Sequence, residues 1–533
     1  MATGAELGYN TNASAVQMAN TIFGDGVTVV SASYTGAANS SAIYSKGNLA
    51  PGVVPSETGV ILSTGNVRDF TQSNGDPNRS PATSTDTGGP DDIAQLNAIA
   101  GARTFDAAFL DVNFIPSADT MAIRFVFASE EYPEYSSSIY NDLIFVIVNG
   151  QSVPVSFGNG QPGVTNINQT NNSNLFVSNT GDDFNTEMDG FTLTLSLTMF
   201  VNPGVVNAIR IGIADVSDAA YDSNLLIASK SVQTRLVAQD DALTLREGSS
   251  RTVDLLANDD NRTGGTLTIT HINGVAVSAG SLVTLPTGQV VRLNADGTVT
   301  ITTDLDHDSV AFNYSVRSSS GATDVGIVEV TTIPCFAAGM RILTPGGPVA
   351  VEALRPGDLV VTQDDGAQPL RWIGRRRVAA VGALAPVRIA AGTFGPHGRL
   401  VVSPQHRILV RDRLAELLFG EAEVLVAAKD LVNGGTVARR PGGEVDYLHL
   451  LFDRHQIVWS EGLASESLLP GRGALAGFDA GAVDAMRAVV PALDPETGAG
   501  YGPPARLILR AHEARALFGL AAAAGTRPAD RAA

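Results

Sequence analysis

The chain of 533 residues has little cysteine, lysine or tryptophan. Its only cysteine is Cys335, and it contains three lysines and two tryptophans. A single cysteine excludes an intramolecular disulfide framework and any zinc site built from several thiolates. No apolar run approaches the roughly 18 residues that a transmembrane helix needs, so the sequence predicts no transmembrane segment. With no disulfides, the stability of the chain must come from packed cores, with cations bound by oxygen ligands as a second possible source.

Basic residues are scarce in the first part of the chain. Residues 1–334 contain 13 Lys and Arg against 34 Asp and Glu, whereas residues 335–533 contain 22 against 20. An acidic surface repels nucleic acid and anionic membranes, so we expect no nucleic-acid partner. No Lys or Arg precedes Lys46, and the N-terminus has no apolar h-region. The sequence therefore predicts that no cleaved N-terminal signal peptide is present.

The spacing of turn residues predicts a mainly β protein with several domains. Residues 1–232 contain short apolar runs, each a predicted strand, between Gly, Asn, Asp and Pro clusters, and together they predict a β-sandwich or jelly roll. Four of these runs are residues 121–129, 141–150, 191–201 and 208–216. Within them, residues 74–100 predict a long polar loop that ends in a short helix. Residues 236–332 alternate apolar and polar positions and predict an Ig-like β-sandwich. Residues 335–467 predict a third all-β domain, and residues 468–533 a partly helical C-terminal tail. The helix of this tail is predicted over the run RLILRAHEARALFGLAAAA, which starts at Arg506.

Several carboxylates follow the apolar strands of the first domain. They are Glu130, Glu131, Asp142, Asp215, Asp218 and Asp222. If the strand ends converge, these side chains supply the hard oxygen ligands that Ca²⁺ needs, about six to eight in number. The alternative is that they are solvated loop acids and turn caps. Calcium in this domain is therefore a hypothesis.

The first domain also contains the residues SEEY at 129–132, followed by ND at 141–142. These residues resemble the signature of the choice-of-anchor L domain, and the resemblance covers roughly residues 45–230. It implies a module of bacterial surface or secreted proteins, but it leaves the ligand of the β domain open. A glycan or another surface ligand is a hypothesis.

The second domain contains DDALTLREGSSRTVDLLANDD and, later, LNADGTVTIT. These segments resemble the cadherin-like, Ig-like repeats of bacterial adhesins. Such repeats often have cation-binding or turn residues at positions matched here by Asp240, Asp241, Asn258, Asp259 and Asp296. Because Asp and Asn cap turns through their own side chains, these residues need no metal.

Cys335 stands at the first position of the third domain, directly after the last strand of the second. A lone cysteine is usually a small buried apolar side chain. At this position, however, the thiol lies beside the carbonyl of Pro334 and could attack its own upstream peptide bond. An amide is a poor electrophile, and a thiol with a pKa near 8.5 is mostly protonated. The reaction therefore needs a polarised amide and a positioned imidazole with a pKa near neutrality.

The segment SPQH could supply both groups. The hydroxyl of Ser403 would orient the scissile amide, and His406 would donate a proton to the leaving amine. The alternative is that this segment is a surface turn.

Together these segments resemble the Hint domain that hedgehog autoprocessing proteins and inteins share. Cys335 matches the nucleophile motif, RPGDLVVT at 355–362 matches the PGD strand, and SPQH at 403–406 matches Thr-x-x-His. Residues 445–467 match the last two motifs and include His455. The resemblance covers about residues 335–467. It implies an N-to-S acyl shift at Pro334–Cys335, a single-turnover autoproteolysis that requires no cofactor and that cleaves or transfers the N-terminal domains.

Three departures from the family pattern limit that reading. Glu466-Ser467 stands where splicing inteins have His-Asn, which implies that only the N-terminal chemistry remains. Leu448 stands where relatives often have an acidic residue, so His449 beside it is a candidate base or orienting group. Pro334 stiffens the scissile junction. Two hypotheses therefore remain: a self-processing secreted or surface protein whose thioester passes to an unknown nucleophile or surface acceptor, or a non-enzymatic adhesin with a silent Hint domain.

Overall fold

The computed structural model describes most of the chain and confirms a mainly β architecture. The described residues are 2–80, 82–136, 140–153, 163–169, 171–245, 250–303, 310–331, 335–380, 385–470, 480–493, 500–509, 514 and 517–518. Pro334 and most of the helix predicted near the C-terminus lie outside them. Two compact units divide the chain: one holds residues 1–241, 252–301 and 310–329, and the other holds 242–251, 302–309 and 330–533.

The helices of the described residues are few and short. The α-helices are α1 Ala15–Ile22, α2 Ala94–Ala100, α3 Arg413–Phe419 and α4 Ala480–Val489. Short 3₁₀ helices occupy Gly47–Leu49, Val67–Phe70, Ser173–Leu175, Val351–Ala353 and Ala428–Leu431. None of the described helices is long and apolar enough to cross a membrane.

The first domain consists of two sheets that enclose an apolar core. Its strands are β1 Gly8–Asn10, β2 Val27–Thr35, β3 Ser41–Ser45, β4 Gly59–Ser63, β5 Thr104–Pro116, β6 Thr120–Ser129, β7 Leu143–Val148, β8 Gln151–Ser152, β9 Phe176–Ser178, β10 Gly190–Thr192, β11 Leu195–Phe200, β12 Asn207–Val216 and β13 Ser223–Ala228. One sheet has the order β1-β3-β4-β13-β6-β10-β9, with β11 also paired to β6, and the other has the order β2-β5-β12-β7-β8. Because the strands alternate between faces, residues such as Phe114, Phe125 and Ile211 point into one shared core.

Most strand predictions for this domain agree with the structure, with one exception. The apolar runs at 121–129, 141–150 and 208–216 contain β6, β7 and β12, and the polar loop at 74–100 ends in α2. The run at 191–201 was predicted as one strand, but it forms two strands, β10 and β11, separated by residues 193–194. Both pair with β6, at different positions along it.

Most of the Ig-like domain belongs to the same compact unit as the first domain, whereas its residues 242–251 and 302–309 belong to the other unit. Its strands are β14 Leu236–Val237, β15 Asp241–Thr244, β16 Ser250–Val253, β17 Asp260–Asn261, β18 Leu267–Ile272, β19 Val275–Ala276, β20 Leu282–Thr284, β21 Val290–Leu293, β22 Val299–Thr302, β23 Val310–Ser318 and β24 Thr323–Thr331. In one sheet the strands β24, β23, β18 and β19 follow one another, and in another β22, β21 and β20 do.

A buried polar contact joins the two N-terminal domains. Asp324 on β24 is 1% exposed and accepts hydrogen bonds from Ser196 Oγ and from the main-chain nitrogen of Ala238, both at 2.9 Å. Burial raises the pKa of Asp324 to about 6, while the charge of Arg124 on β6 acts in the opposite direction. Separating the two domains would leave one of these buried charges without its partner, which is costly. This contact therefore holds the two domains together.

The third domain is built from two further sheets. Its strands are β25 Phe336–Ala337, β26 Arg341–Thr344, β27 Gly347–Ala350, β28 Leu359–Thr362, β29 Gly366–Pro369, β30 Trp372–Ala379, β31 Val387–Ile389, β32 Leu400–Val402, β33 Arg407–Arg411, β34 Glu423–Ala427, β35 Val437–Arg439, β36 Glu444–Leu451, β37 Ile457–Ser460, β38 Leu463–Glu466 and β39 Leu507–Ile508. One sheet has the order β30-β36-β25-β32-β31-β35. The other has the order β27-β26-β37-β38-β33-β34-β39, with β28 paired to β37 and β29.

The described part of the tail packs against the third domain. Met486 of α4 is fully buried in a cluster with Leu451 of β36, and Leu509 is buried in the main core. The helix predicted over the run that starts at Arg506 is wrong at its beginning, because Leu507 and Ile508 form β39, which pairs in parallel with β34. Without β39, this side of β34 would be an unpaired sheet edge, and the pairing satisfies its main-chain N–H and C=O groups.

Candidate active site around Cys335

The sheet register brings two predicted site residues to the sides of Cys335. The short strand β25 lies between β32 and β36, and Phe336 pairs with Val402 on one side and Leu448 on the other. Both pairings are antiparallel, so the residue before Phe336 lies beside the residues after Val402 and Leu448. Cys335 is therefore flanked by Ser403 and His449.

The contacts of Cys335 follow from this register. Its main-chain nitrogen donates a hydrogen bond to Ser403 Oγ at 2.8 Å, and its carbonyl accepts one from the Ser403 nitrogen at 2.9 Å. Its Sγ lies 3.6 Å from His449 Nε2, which is a hydrogen-bonding distance for sulfur. All three residues are buried. The amide nitrogen and the thiol of Cys335 thus each contact a polar side chain.

His406 is buried in an apolar environment, which disfavours the charged form that a proton donor at neutral pH needs. It is 1% exposed, and its ring packs on that of Phe336 with 4.2 Å between centroids. Neither of its ring nitrogens has a hydrogen-bond partner among the described residues. Burial lowers the pKa of His406 to about 4, although the charge of Glu466 acts to raise it. At neutral pH the ring is therefore uncharged, with one N–H and one lone pair free for chemistry.

A buried charge network lies beside His406. Glu466, the last residue of β38, is fully buried and accepts hydrogen bonds from the main-chain nitrogen and Nη1 of Arg407, both at 2.9 Å. Its Oε2 also lies 3.3 Å from His455 Nε2. Burial acts to raise the pKa of Glu466, but Arg407 and His455 outweigh it and lower the pKa to about 2. Glu466 is therefore a stable carboxylate at neutral pH.

Sequence reasoning identified most of these residues but missed two partners. It named Cys335 and the imidazoles, but it did not pair Arg407 with Glu466. The available signal was a glutamate in an apolar strand, LASE, since a carboxylate there requires a cationic partner. It also missed the contribution of the tail, because the main-chain nitrogen of Ala505 donates to His455 Nδ1 at 2.9 Å.

The carboxylates predicted as calcium ligands lie at the strand ends of the first domain, mostly buried. Burial, with neighbouring charges, raises the pKa of Glu130 to about 9, of Glu131 to about 10, and of Asp142 and Asp222 to about 7. The pKa of Asp215 is also raised by burial and by Asp142.

The polar loop at 74–92 covers some of these carboxylates. The main-chain nitrogen of Thr85 donates to Asp222 Oδ1 at 2.7 Å, and that of Gly89 donates to Asp106 Oδ1 at 2.6 Å. Asp218 instead caps a local turn through the nitrogen of Ala220. Among the described residues, no three acidic, histidine or cysteine side chains lie close enough together to hold a metal ion. Calcium here stays a prediction.

The acidic residues of the Ig-like domain mostly bind main-chain groups. Asp240 accepts from the nitrogen of Ile327, Asp259 from that of Gln239, and Asp296 from that of Thr298. The remaining two, Asp241 and Asn258, hydrogen-bond to each other at 3.3 Å. These contacts are the turn-capping and loop-binding roles that Asp and Asn fulfil without a metal.

Comparison with family models agrees with this division of the chain. Residues 334–472 match the Hint domain, residues 8–233 the choice-of-anchor L domain, and residues 233–331 a bacterial Ig domain. The chain joins a choice-of-anchor L domain, an Ig domain and a Hint domain. The architecture predicted from the sequence is therefore confirmed. No match was found among curated proteins.

Solved structures similar to the Hint domain include two of the intein type. A bacterial intein-like domain from Clostridium thermocellum is 17% identical, and the match covers 25% of this chain and 97% of that one, with a TM-score of 0.20. The gp41-1 intein is 9% identical, with the same coverage of both chains and a TM-score of 0.17.

The Hint domain brings together four of the predicted site residues, Cys335, Ser403, His406 and His449. His455, the fifth, lies beside Glu466, whose other partner is Arg407 next to His406. The carbonyl that precedes Cys335 belongs to Pro334, which is outside the described residues. The arrangement places an imidazole beside the thiol and a hydroxyl on the amide nitrogen of Cys335. Those are the groups that intramolecular acyl transfer requires.

Proposed function

We propose that the Hint domain carries out one N-to-S acyl shift at the Pro334–Cys335 bond and thereby releases or transfers the N-terminal domains. One observation carries the proposal. His449 Nε2 lies 3.6 Å from the thiol of Cys335, while the amide nitrogen of the same residue donates to Ser403 Oγ at 2.8 Å. A base and an amide-orienting hydroxyl thus act on the two atoms of Cys335 that react.

The acyl shift conserves protons, so one imidazole can serve both halves of it. His449 takes the proton from Sγ, and the thiolate attacks the carbonyl carbon of Pro334. The carbon–nitrogen bond of the tetrahedral intermediate then breaks, and the nitrogen of Cys335 takes the proton back from the His449 imidazolium, directly or through Ser403. The result is a thioester on Sγ and a free amine on Cys335.

His406 has a different role from the one expected of a charged proton donor. Since its pKa lies near 4, it stores no extra proton at neutral pH. Its N–H is available to stabilise the oxyanion or to hydrogen-bond the leaving nitrogen.

The C-terminal step of splicing is not expected. Splicing inteins cyclise an asparagine, whereas this chain has Ser467 at that position, and its hydroxyl accepts a hydrogen bond from the nitrogen of Gln456 at 2.9 Å. Resolution of the thioester therefore falls to water, an amine or a surface acceptor. In each case the carbon–sulfur bond breaks, and the thiol of Cys335 is regenerated.

The test is incubation of the purified full chain with and without hydroxylamine, followed by intact mass measurement. We expect two products, residues 1–334 and 335–533, and none from Cys335→Ala. A general base contributes about 10²- to 10⁴-fold, so His449→Ala should slow product formation by at least about 100-fold. His271→Ala, which changes a histidine of the Ig domain, is the matched control and should cleave like the wild type.

An intact wild-type chain under all these conditions would refute self-processing. It would favour the second hypothesis, a non-enzymatic adhesin or binding protein. Under either hypothesis we propose a secreted or surface location, because the choice-of-anchor L domain is the largest matched module. The intact mass of protein recovered outside the producing cell tests both location and cleavage.

A further inference from the structure

The C-terminal tail contributes one main-chain group to the charge network of the Hint domain. The nitrogen of Ala505 donates to His455 Nδ1 at 2.9 Å. The two residues before it, Pro503 and Pro504, have no N–H to donate. Ala505 is thus the first residue after this proline pair that can make such a contact.

This hydrogen bond determines which tautomer His455 adopts. A ring nitrogen that accepts a hydrogen bond carries no proton, so the hydrogen of the neutral ring is on Nε2. Nε2 lies 3.3 Å from Glu466 Oε2, and the protonated nitrogen is therefore the one beside the carboxylate. Without the Ala505 contact, the proton could shift to Nδ1, and a lone pair would then face the negative charge.

The position of Ala505 is held by its neighbours. Arg506 Nε donates to Glu423 Oε2 at 2.6 Å, and Arg506 Nη2 donates to Asp364 Oδ1 at 2.6 Å. The next two residues form β39 against β34. Tyr501, upstream, is buried and donates its hydroxyl to the carbonyl of Phe452 at 3.0 Å. The segment is thus anchored on both sides of the donor.

We propose that residues 500–509 are a positioning segment of the Hint site, which fixes the His455 tautomer and through it the orientation of Glu466. Glu466 in turn binds both the main chain and the side chain of Arg407, the residue directly after His406. The tail therefore sets the position of His406 without touching Cys335. This proposal rests on the proposed acyl shift for its kinetic consequence, but the tautomer itself does not depend on cleavage.

The decisive variant is Ala505→Pro, which removes the donated hydrogen, and Ala505→Gly is the matched control because it keeps the N–H. In full-length protein with ¹⁵N-labelled histidine, the ring signals of His455 are assigned by their loss in His455→Gln. We expect the Nε2–H tautomer in the wild type and in Ala505→Gly, and loss of that pattern in Ala505→Pro. The acyl shift in Ala505→Pro should slow by about tenfold, the equivalent of one hydrogen bond.

The same samples also test whether folding is preserved, through the fluorescence of the Hint domain's tryptophans. If Ala505→Pro does not fold, Arg506→Gln tests the proposal by loosening the segment, with a smaller loss of the tautomer expected. An unchanged His455 tautomer in both variants would overturn the proposal, and so would equal losses in Ala505→Gly and Ala505→Pro. If no protein cleaves but the tautomer responds as expected, self-processing fails and the positioning role stands.

Discussion

The substitution Glu466→Gln tests the buried charge network most directly. The glutamine keeps the size of the side chain but removes the charge that Arg407 and His455 face. Arg407 then keeps its own charge, with a side chain that is 26% exposed, beside a neutral amide. Removing one partner of a buried ion pair costs about 3–5 kcal/mol. Partial exposure of Arg407 places the expected loss near the lower end of that range.

The pKa of Glu466 leads independently to a similar loss of folding stability. It falls from 4.5 to about 2 on folding, and each unit is worth about 1.4 kcal/mol, so the ionised side chain stabilises the fold by about 3 kcal/mol. Since the folded pKa lies below the unfolded one, this stability is fully present above pH 4.5. It is lost as the pH falls from there towards 2. The glutamine variant lacks that component of the pH dependence.

Urea unfolding followed by tryptophan fluorescence is a selective assay. Both tryptophans, Trp372 and Trp459, lie in the Hint domain, so the signal reports on that domain alone. We expect Glu466→Gln to lose about 3 kcal/mol at neutral pH and the difference from wild type to shrink below pH 4.5. A double-mutant cycle with Arg407→Gln isolates the pair. A loss below about 1 kcal/mol, or parallel stability curves from pH 4.5 to 2, would contradict the reasoning.

Three further outcomes follow from the structure. Burial lowers the pKa of His406 to about 4, so the stability that its neutral ring contributes above pH 6.5 should be lost as the pH falls towards 4. In His406→Phe, the urea midpoint should therefore change less between pH 6.5 and pH 4 than it does in the wild type. Asp324→Ala leaves the Arg124 charge buried and two donors without an acceptor, so circular dichroism should show at least about 3 kcal/mol less stability; an unchanged melt would contradict this. If Ca²⁺ binds the carboxylates around Glu131 and Asp142, about 100 times its dissociation constant should stabilise the native state by about 2.7 kcal/mol over chelator, and identical melting temperatures would rule that out.

The sequence predicted the strands, and it marked Cys335 as the candidate nucleophile, because both inferences depend on local patterns. Alternating apolar residues define β6 and β12 without knowledge of their partners. The position of Cys335 at a domain start needed only chain order. The neighbours of Cys335 could be named as candidates, but their roles could not be assigned, since those roles depend on which strands flank β25. Register is a property of the assembled sheet and not of any one strand.

Burial accounts for the other differences between sequence and structure. The pKa of His406 was expected to lie near neutrality. Its burial, with the ring packed on Phe336, instead lowers that pKa and keeps the ring uncharged at neutral pH. No pattern within SPQH reports that burial. The Ala505 contact with His455 was equally hidden, because it joins a main-chain group to a side chain 50 residues earlier. Contacts of this kind leave no signature of residue type, since any residue except proline supplies the same N–H.

The position that carries histidine in splicing inteins carries Glu466 here, and the structure gives that change a physical meaning. A histidine there would place a third imidazole beside His455 and leave Arg407 without a counter-charge. The carboxylate instead neutralises Arg407, faces His455 and connects, through Ala505, to a tail that packs into the Hint core. We infer that Glu466 acts as a structural clamp, which holds Arg407 and His455 in place in the Hint domain.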